Sequence, residues 1–194
     1  MSTASPARQR LIRTASELLA DSGVDAVTLR GIAKAAGVSH GAPLRHFSGR
    51  AELLSGVATL GFTQLLDRGT QLPAGPPRER VTAACHAYVD FALTNPAMFE
   101  LMFRRDLIDP EEPQLVAASS AVFDYFADLV RRYVAEAPES RVRTGTDPRL
   151  LAASLWAALH GLAQLWLWGG LAGASFAPSP EAALAVSLDA YLGL

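Results

Sequence analysis

The chain has 194 residues, half of them hydrophobic, a formal charge of −2 and one cysteine. That length and apolar content allow one or two domains with a real core and exclude a disordered chain beyond the first few residues. A lone cysteine excludes an intrachain disulfide and fits a reducing compartment; Cys85 lies in an apolar helical stripe and reads as core, not as a redox sensor.

No sustained strand alternation appears along the chain. Apolar residues recur at helical spacing instead, which predicts an all-α fold of about nine helices. The first helix covers about residues 7–22 and ends at Gly23. Thr28 is an N-cap for the second, whose apolar face is Leu29, Ile32, Ala33 and Ala36. Gly37 follows the last periodic residue and suits the left-handed conformation that ends helices. Val38 then plugs the angle, and Ser39 caps a third helix of about residues 40–47. This is helix-turn-helix grammar, although short capped helix pairs also occur in helical proteins that touch no nucleic acid.

Gly41 and Ala42 keep the start of the third helix narrow, so its backbone can approach the floor of a DNA groove. His40 and Arg45 can reach base edges or phosphates from there. Pro43 lacks the N–H that would bond to Ser39, which predicts a slightly irregular first turn. Phe47 faces inward. Ser48 or Gly49 caps a fourth helix of about residues 50–70, placing Arg50 in a first turn where a phosphate can lie. Through residue 50, seven Arg and Lys stand against three Asp and Glu, a formal +4 that leaves −6 for the remainder. A basic head on an acidic body lets the head meet phosphates while the body stays off the DNA.

The Pro- and Gly-rich residues 72–77 break the fourth helix. A fifth starts near Pro77, carries Val81, Ala84, Tyr88, Phe91 and Ala92 on one face, and stops at Asn95 and Pro96. A short apolar segment reaches Arg105, and Asp109 to Pro113 form an acidic loop. The next helix covers about residues 114–135, with Val122, Phe126, Leu129 and Tyr133 inward, and Pro138 and Gly145 mark a loop after it. Asp147 and Pro148 open a helix that reaches Trp168 and is ended by Gly169 and Gly170. Residues 175–180 are loop, and a last helix covers about residues 181–192.

From Leu150 to Pro180 there is no Asp, Glu, Lys or Arg. Such a run is long enough to span a bilayer. His160 and Gln164 near its middle are costly in lipid, and glycines and prolines break it after Trp168. Its sidedness points elsewhere. Leu151, Leu155, Leu159, Leu162 and Trp166 form a bulky stripe, while Ser154, Ala157, Gly161 and Gln164 form a narrow face. That pattern predicts a helix buried on one side against its own core and on the other against a partner helix, hence no membrane. The N-terminus lacks an apolar run before a small-residue cleavage site, so a cytoplasmic protein is expected.

Ile12, Ala15, Leu18, Leu19, Gly23, Val27, Thr28, Ile32, Ala33, Ala36 to Ser39, Gly41, His46, Phe47 and Leu53 together resemble the TetR/AcrR family of bacterial transcriptional regulators. The resemblance implies a three-helix DNA-binding domain in residues 1–50 and a helical ligand-binding and dimerisation domain in residues 51–194. Its DNA interface would comprise Thr28, Arg30, Lys34, Ser39, His40, Gly41, Ala42, Leu44, Arg45, His46 and Arg50. Leu44 stands where the family usually has a tyrosine whose hydroxyl touches a phosphate, so that contact is lost. Gly31 and Ala51 stand where acidic residues are common. The resemblance further implies a homodimer through the last two helices, two recognition helices reading a palindromic operator on double-stranded DNA, and a small-molecule effector in the body. Trp156, His160 and Gly161 also resemble a subgroup whose C-terminal domain is marked by Trp, His and Gly.

Tyr88, Phe91, Met98, Phe99, Met102, Phe126, Trp156 and His160 are candidate lining for a small, largely apolar effector, although such stripes also serve simply as core. His160 stands out, because a buried imidazole needs partners and can orient a polar group. There is no metal-ligand spacing, nucleophile elbow or phosphate-binding glycine loop, so no enzyme, metal or cofactor is expected. Asp106, Asp109, Glu111 and Glu112 read as a solvated loop. The function that follows is a ligand-released repressor, with activation not excluded. The alternative is a helical interaction module that has lost specific DNA binding.

Overall fold

In the computed structural model, which describes residues 5–136, 147–175 and 177–193, all regular structure is helical. The α-helices are α1 (Pro6–Ser22), α2 (Leu29–Ala35), α3 (Arg50–Thr70), α4 (Pro77–Thr94), α5 (Pro96–Phe103), α6 (Pro113–Glu136), α7 (Pro148–Leu167), α8 (Gly170–Ser175) and α9 (Pro180–Leu192). Short 3-10 turns cover Val24–Ala26 and Pro43–Arg45. The loop expected at Pro138 and Gly145 lies outside the described residues. By packing the chain divides into two compact units, residues 1–64 with 95–120 and residues 65–94 with 121–194, so the division falls within α3 and within α6.

In the first unit, α1 is capped by Ser5, whose hydroxyl accepts from the Arg8 N–H at 3.3 Å, and ends where Gly23 takes a φ of +77°. Leu11, Ile12, Ala15 and Leu19 are its buried face. Thr28 caps α2 as expected, accepting from the Gly31 N–H at 2.9 Å. The end of α2 is closed by two backbone bonds, Gly37 N–H to Lys34 and Val38 N–H to Ala33, with Gly37 at a φ of +65°. This is the Schellman arrangement, which satisfies orphan carbonyls and turns the chain sharply. Met98 and Met102 on α5 pack where Gly61 lacks a side chain, and Phe103 stands edge-on to Phe62 and Phe99 at 5.7 and 5.3 Å. The buried Ser55 hydroxyl donates to the Ala51 carbonyl and accepts from the Asp109 N–H, each near 2.9 Å or less.

The third expected helix is the main departure. Residues 40–47 form no α-helix; their backbone runs through a turn into the 3-10 turn at Pro43–Arg45, with Ala42, Arg45 and His46 each bonding three residues back. Pro43 explains it, because its nitrogen has no hydrogen to give the Ser39 carbonyl, which accepts from Ala42 instead. Pro43 is buried. The expected Ser39 cap is therefore a carbonyl contact. A second departure is α8, which forms directly after Gly169 where only the end of the preceding helix was expected.

In the second unit, α7 packs against α4, α8 and α9, and α4 also meets α9. Leu151, Leu155, Leu159 and Leu162 of α7 are buried as the stripe predicts, and Asp147 caps the helix through the Arg149 N–H. Cys85 is fully buried in α4, which pushes its thiol pKa up to about 12 and keeps it protonated. The Tyr133 hydroxyl donates to the Leu192 carbonyl, tying the end of α9 to α6.

The geometry also explains Gly31. A β-carbon there would lie 2.7 Å from the Ala26 carbonyl oxygen, a backbone atom that cannot step aside. Gly31→Ala gains about 1 kcal/mol of helix propensity but adds about 1–3 kcal/mol of overpacking. The expected outcome is a net loss of stability, read in urea unfolding as a lower midpoint at unchanged slope.

Candidate nucleic-acid interface and apolar cavity

The hinge and the 3-10 turn present a mixed surface. Arg30 and Lys34 on α2 are exposed, as are Ser39, His40, Gly41, Leu44 and Arg45, while Thr28, Ala42 and His46 are half-buried. Thr28 already spends its hydroxyl on the Gly31 N–H. Leu44 is 61% exposed, so an apolar side chain stands beside Arg45 where a phenol would have offered a hydrogen bond.

The supports behind this surface are more specific than the sequence suggested. Phe47 is buried beneath the Arg8 guanidinium, which sits 5.0 Å from its ring centroid and 3.8 Å from Glu52. Glu52 in turn accepts from the Ser48 N–H and hydroxyl at 2.8 and 2.9 Å, closing the start of α3. The Ser48 backbone N–H is the chief cause that holds the Glu52 carboxyl below its ordinary pKa.

Arg50, expected near a phosphate, makes its contacts here within the protein. Its Nε donates to the Val27 carbonyl at 2.9 Å and its Nη2 to the Val24 carbonyl at 2.6 Å, with Asp25 at 3.9 Å. The guanidinium thus clasps the loop between α1 and α2, which fixes where α2 begins. Nothing in periodicity or composition distinguishes such a clasp from a solvated arginine.

The second unit holds a cavity of about 40 Å³, bordered on α3 by Leu65, Leu66 and Gly69, on α4 by Ala84, Ala87 and Tyr88, on α6 by Val122, Tyr125 and Phe126, and on α7 by Trp156 and Leu159. Of the eight expected lining residues, Tyr88, Phe126 and Trp156 reach it. His160 joins through Tyr88. The Trp156 Nε1 donates to the Tyr88 hydroxyl at 3.1 Å, and that hydroxyl lies 3.0 Å from the His160 Nδ1. The Tyr88 hydroxyl thus joins Trp156 to His160. Phe91 is core beside Arg68 in the same unit. Met98, Phe99 and Met102 do not line the cavity; they belong to the first unit, where the two methionines pack at Gly61 and Phe99 stands edge-on to Phe103. Helical spacing showed that these residues are buried but not in which core.

Burial lowers the His160 pKa from 6.5, and burial raises that of Tyr88 against a smaller opposing pull from the Trp156 N–H. Among the described residues no three His, Cys, Asp or Glu side chains converge as a metal site.

Comparison with known proteins places both ends of the chain. The family model for bacterial regulatory proteins of the tetR family matches residues 11–57, and that for the tetracyclin repressor-like C-terminal domain matches residues 81–191. No curated protein matches. A protein of unknown function from Rhodococcus sp. RHA1 is 33% identical, with a TM-score of 0.78 over 96% of this chain and 94% of that one. A bacterial regulatory protein in the tetR family from Rhodococcus RHA1 is 19% identical, with a TM-score of 0.68 over 96% of this chain and 95% of its own. The fatty acid degradation regulator FadR from Bacillus halodurans shares the fold at 16% identity, with a TM-score of 0.68 over 98% and 97% of the two chains.

Two outcomes follow from these contacts. Arg50→Ala leaves two carbonyls without their donor and is expected to lower unfolding free energy by about 1–3 kcal/mol, towards the low end because the side chain is partly exposed; equilibrium denaturation measures it. The His160 pKa is lowered in the folded state, so the unfolded chain binds the proton more readily. Stability is therefore full above pH 6.5 and falls as the pH drops towards the folded pKa, and His160→Gln removes that part of the pH dependence of the melting temperature.

Proposed function

The chain belongs to the TetR family of bacterial regulatory proteins, and we propose that it is a repressor that binds a palindromic operator as a homodimer and is released by a small, largely apolar effector. It is a DNA-binding transcriptional regulator and not an enzyme. Residues 1–50 form the DNA-reading part in this proposal, and residues 51–194 the effector and dimerisation part. The observation that carries it is the Schellman-closed hinge with Arg30, Lys34 and Arg45 all exposed around it. Cations so placed neutralise phosphates and set register, while His40 and the narrow Gly41 backbone approach the bases. Arg50 acts as a positioning residue through the loop before α2.

Dimerisation is assigned to α7 and α9. The outer face of α7 carries Leu150, Ser154, Ala157, Gly161, Leu165 and Trp168, with Leu150, Leu165 and Trp168 exposed at 63%, 46% and 72%. Beyond its chain neighbours and the backbone of its own helix, no heavy atom would lie within 4 Å of a β-carbon at Gly161, so the middle of this face is open, and Val186 on α9 is 71% exposed. Helix α7 is long and apolar enough to cross a membrane by composition. Its buried stripe against α4 and α9 supports a soluble, cytoplasmic protein whose outer face a second copy covers. Two copies present two reading heads to half-sites roughly 34–36 Å apart. Effector binding lowers DNA affinity by a coupling energy of about 1–3 kcal/mol.

The short 3-10 turn and the exposed Leu44 favour one other reading, a helical interaction module without specific DNA binding. Salt separates the two. For a DNA binder, log affinity falls linearly with log salt, and Arg45→Ala is expected to reduce the slope by about 1 if Arg45 meets a phosphate. A flat salt response of the unmodified protein on selected DNA would favour the module.

A further inference from the structure

Among the described residues, the Arg80 Nε is the one buried side-chain nitrogen or oxygen without a hydrogen-bond partner. The same guanidinium donates through Nη2 to the Tyr125 hydroxyl at 3.0 Å, and that hydroxyl donates to the Gly69 carbonyl. The ion pairs of this unit join Arg68 to Asp90, Arg131 and Arg132 to Asp128, and Arg149 to Asp124; none includes Arg80. A buried donor left unpaired is costly, and more so on a charged group. Such a group in a native fold can take an acceptor from water or from a ligand.

The position of Arg80 says what that acceptor belongs to. Arg80, Ala84, Ala87 and Tyr88 share one face of α4 by helical spacing, and the last three border the cavity. Arg80 thus stands one turn beyond Ala84, bonded to Tyr125, which is itself a cavity wall. Arg80 is not itself part of the cavity wall, and that wall carries no charged side chain. A neutral hydroxyl or carbonyl can accept from the Nε but lacks the charge that strengthens a carboxylate–guanidinium bond, and a cation would be repelled. A second anionic group would meet only apolar surface.

We propose that this cavity takes a monocarboxylate with an apolar body, its carboxylate accepting from Arg80 and its body lying along Ala84 and Ala87 towards Tyr88. This rests on the effector reading of the body and names the chemical class of that effector. Eight residues separate Arg80 from Tyr88, roughly 12 Å along the helix, which sets the body to a medium-length chain. The cavity of about 40 Å³ is far smaller than a ligand site, so binding widens it. Val122 and Phe126 on α6 are half-buried and form the wall that gives way.

Octanoate is the probe, with 1-octanol and octylamine as its neutral and cationic counterparts, titrated calorimetrically into the full-length protein. Octanoate is expected to bind with one site per chain, and each counterpart roughly 10- to 100-fold more weakly. Arg80→Met is expected to weaken octanoate by the same factor and leave octanol unchanged. Should that variant fail to fold, Ala87→Phe fills the cavity and is expected to abolish octanoate binding with Arg80 intact. Octanoate that does not bind, octanol that binds as tightly, or undiminished octanoate binding in the variant that folds would overturn the proposal. Operator affinity measured in the same samples keeps the two readings apart. Absent octanoate binding with intact DNA binding overturns this inference alone. Octanoate binding that leaves DNA affinity unchanged upholds the site and contradicts effector gating.

Discussion

Pro43 has no hydrogen to offer the Ser39 carbonyl, and residues 40–47 are arranged around that missing bond. The chain answers with three-residue bonding from Ala42 to His46 and buries the proline ring. A segment this short has little intrinsic stability, so its position depends on what lies behind it. Phe47 anchors one end beneath Arg8, and Glu52 closes the next helix on Ser48. On the other side Arg50 fixes the loop from which α2 starts. The exposed cations are presented by these buried contacts and not by a regular recognition helix.

The second unit solves a different problem. Its helix α7 is apolar on nearly every face, yet only one side is occupied by its own core. Tyr88 is the polar hub there, accepting from Trp156 and meeting His160 inside a largely apolar surround. Hydrogen bonds of this kind are worth little net but are expensive to leave unmade, so the three side chains hold one another in place.

Most elements were legible in the sequence because they are bounded by side-chain chemistry. Thr28, Gly37 and Asp147 cap or end their helices as their residue types require, and Pro77, Pro96 and Pro148 each stand at a first helical position. The misses have equally local causes. Pro43 was recognised, but one missing N–H did more than disturb a turn, since the segment had too few other bonds to remain α-helical. Helix α8 lacks an apolar period, and four of its six residues are Gly or Ala, so nothing announced it. Met98, Phe99 and Met102 have the composition of a ligand pocket and the location of a core. Arg50 and Arg80 were the least legible, because the atoms they answer to are backbone carbonyls and a tyrosine hydroxyl far away in sequence.

Under the proposed function, symmetric reading of DNA is what would join the exposed cations around the hinge to the exposed face of α7. Its most direct measurement is selection of bound duplexes from a random pool with the full-length protein, followed by footprinting on the enriched sequence. The expected result is an inverted repeat whose half-sites lie about one helical turn apart, or a multiple of it, protected by two copies of the chain. Enrichment of no sequence, or of a single unrepeated site bound by one copy, would contradict it.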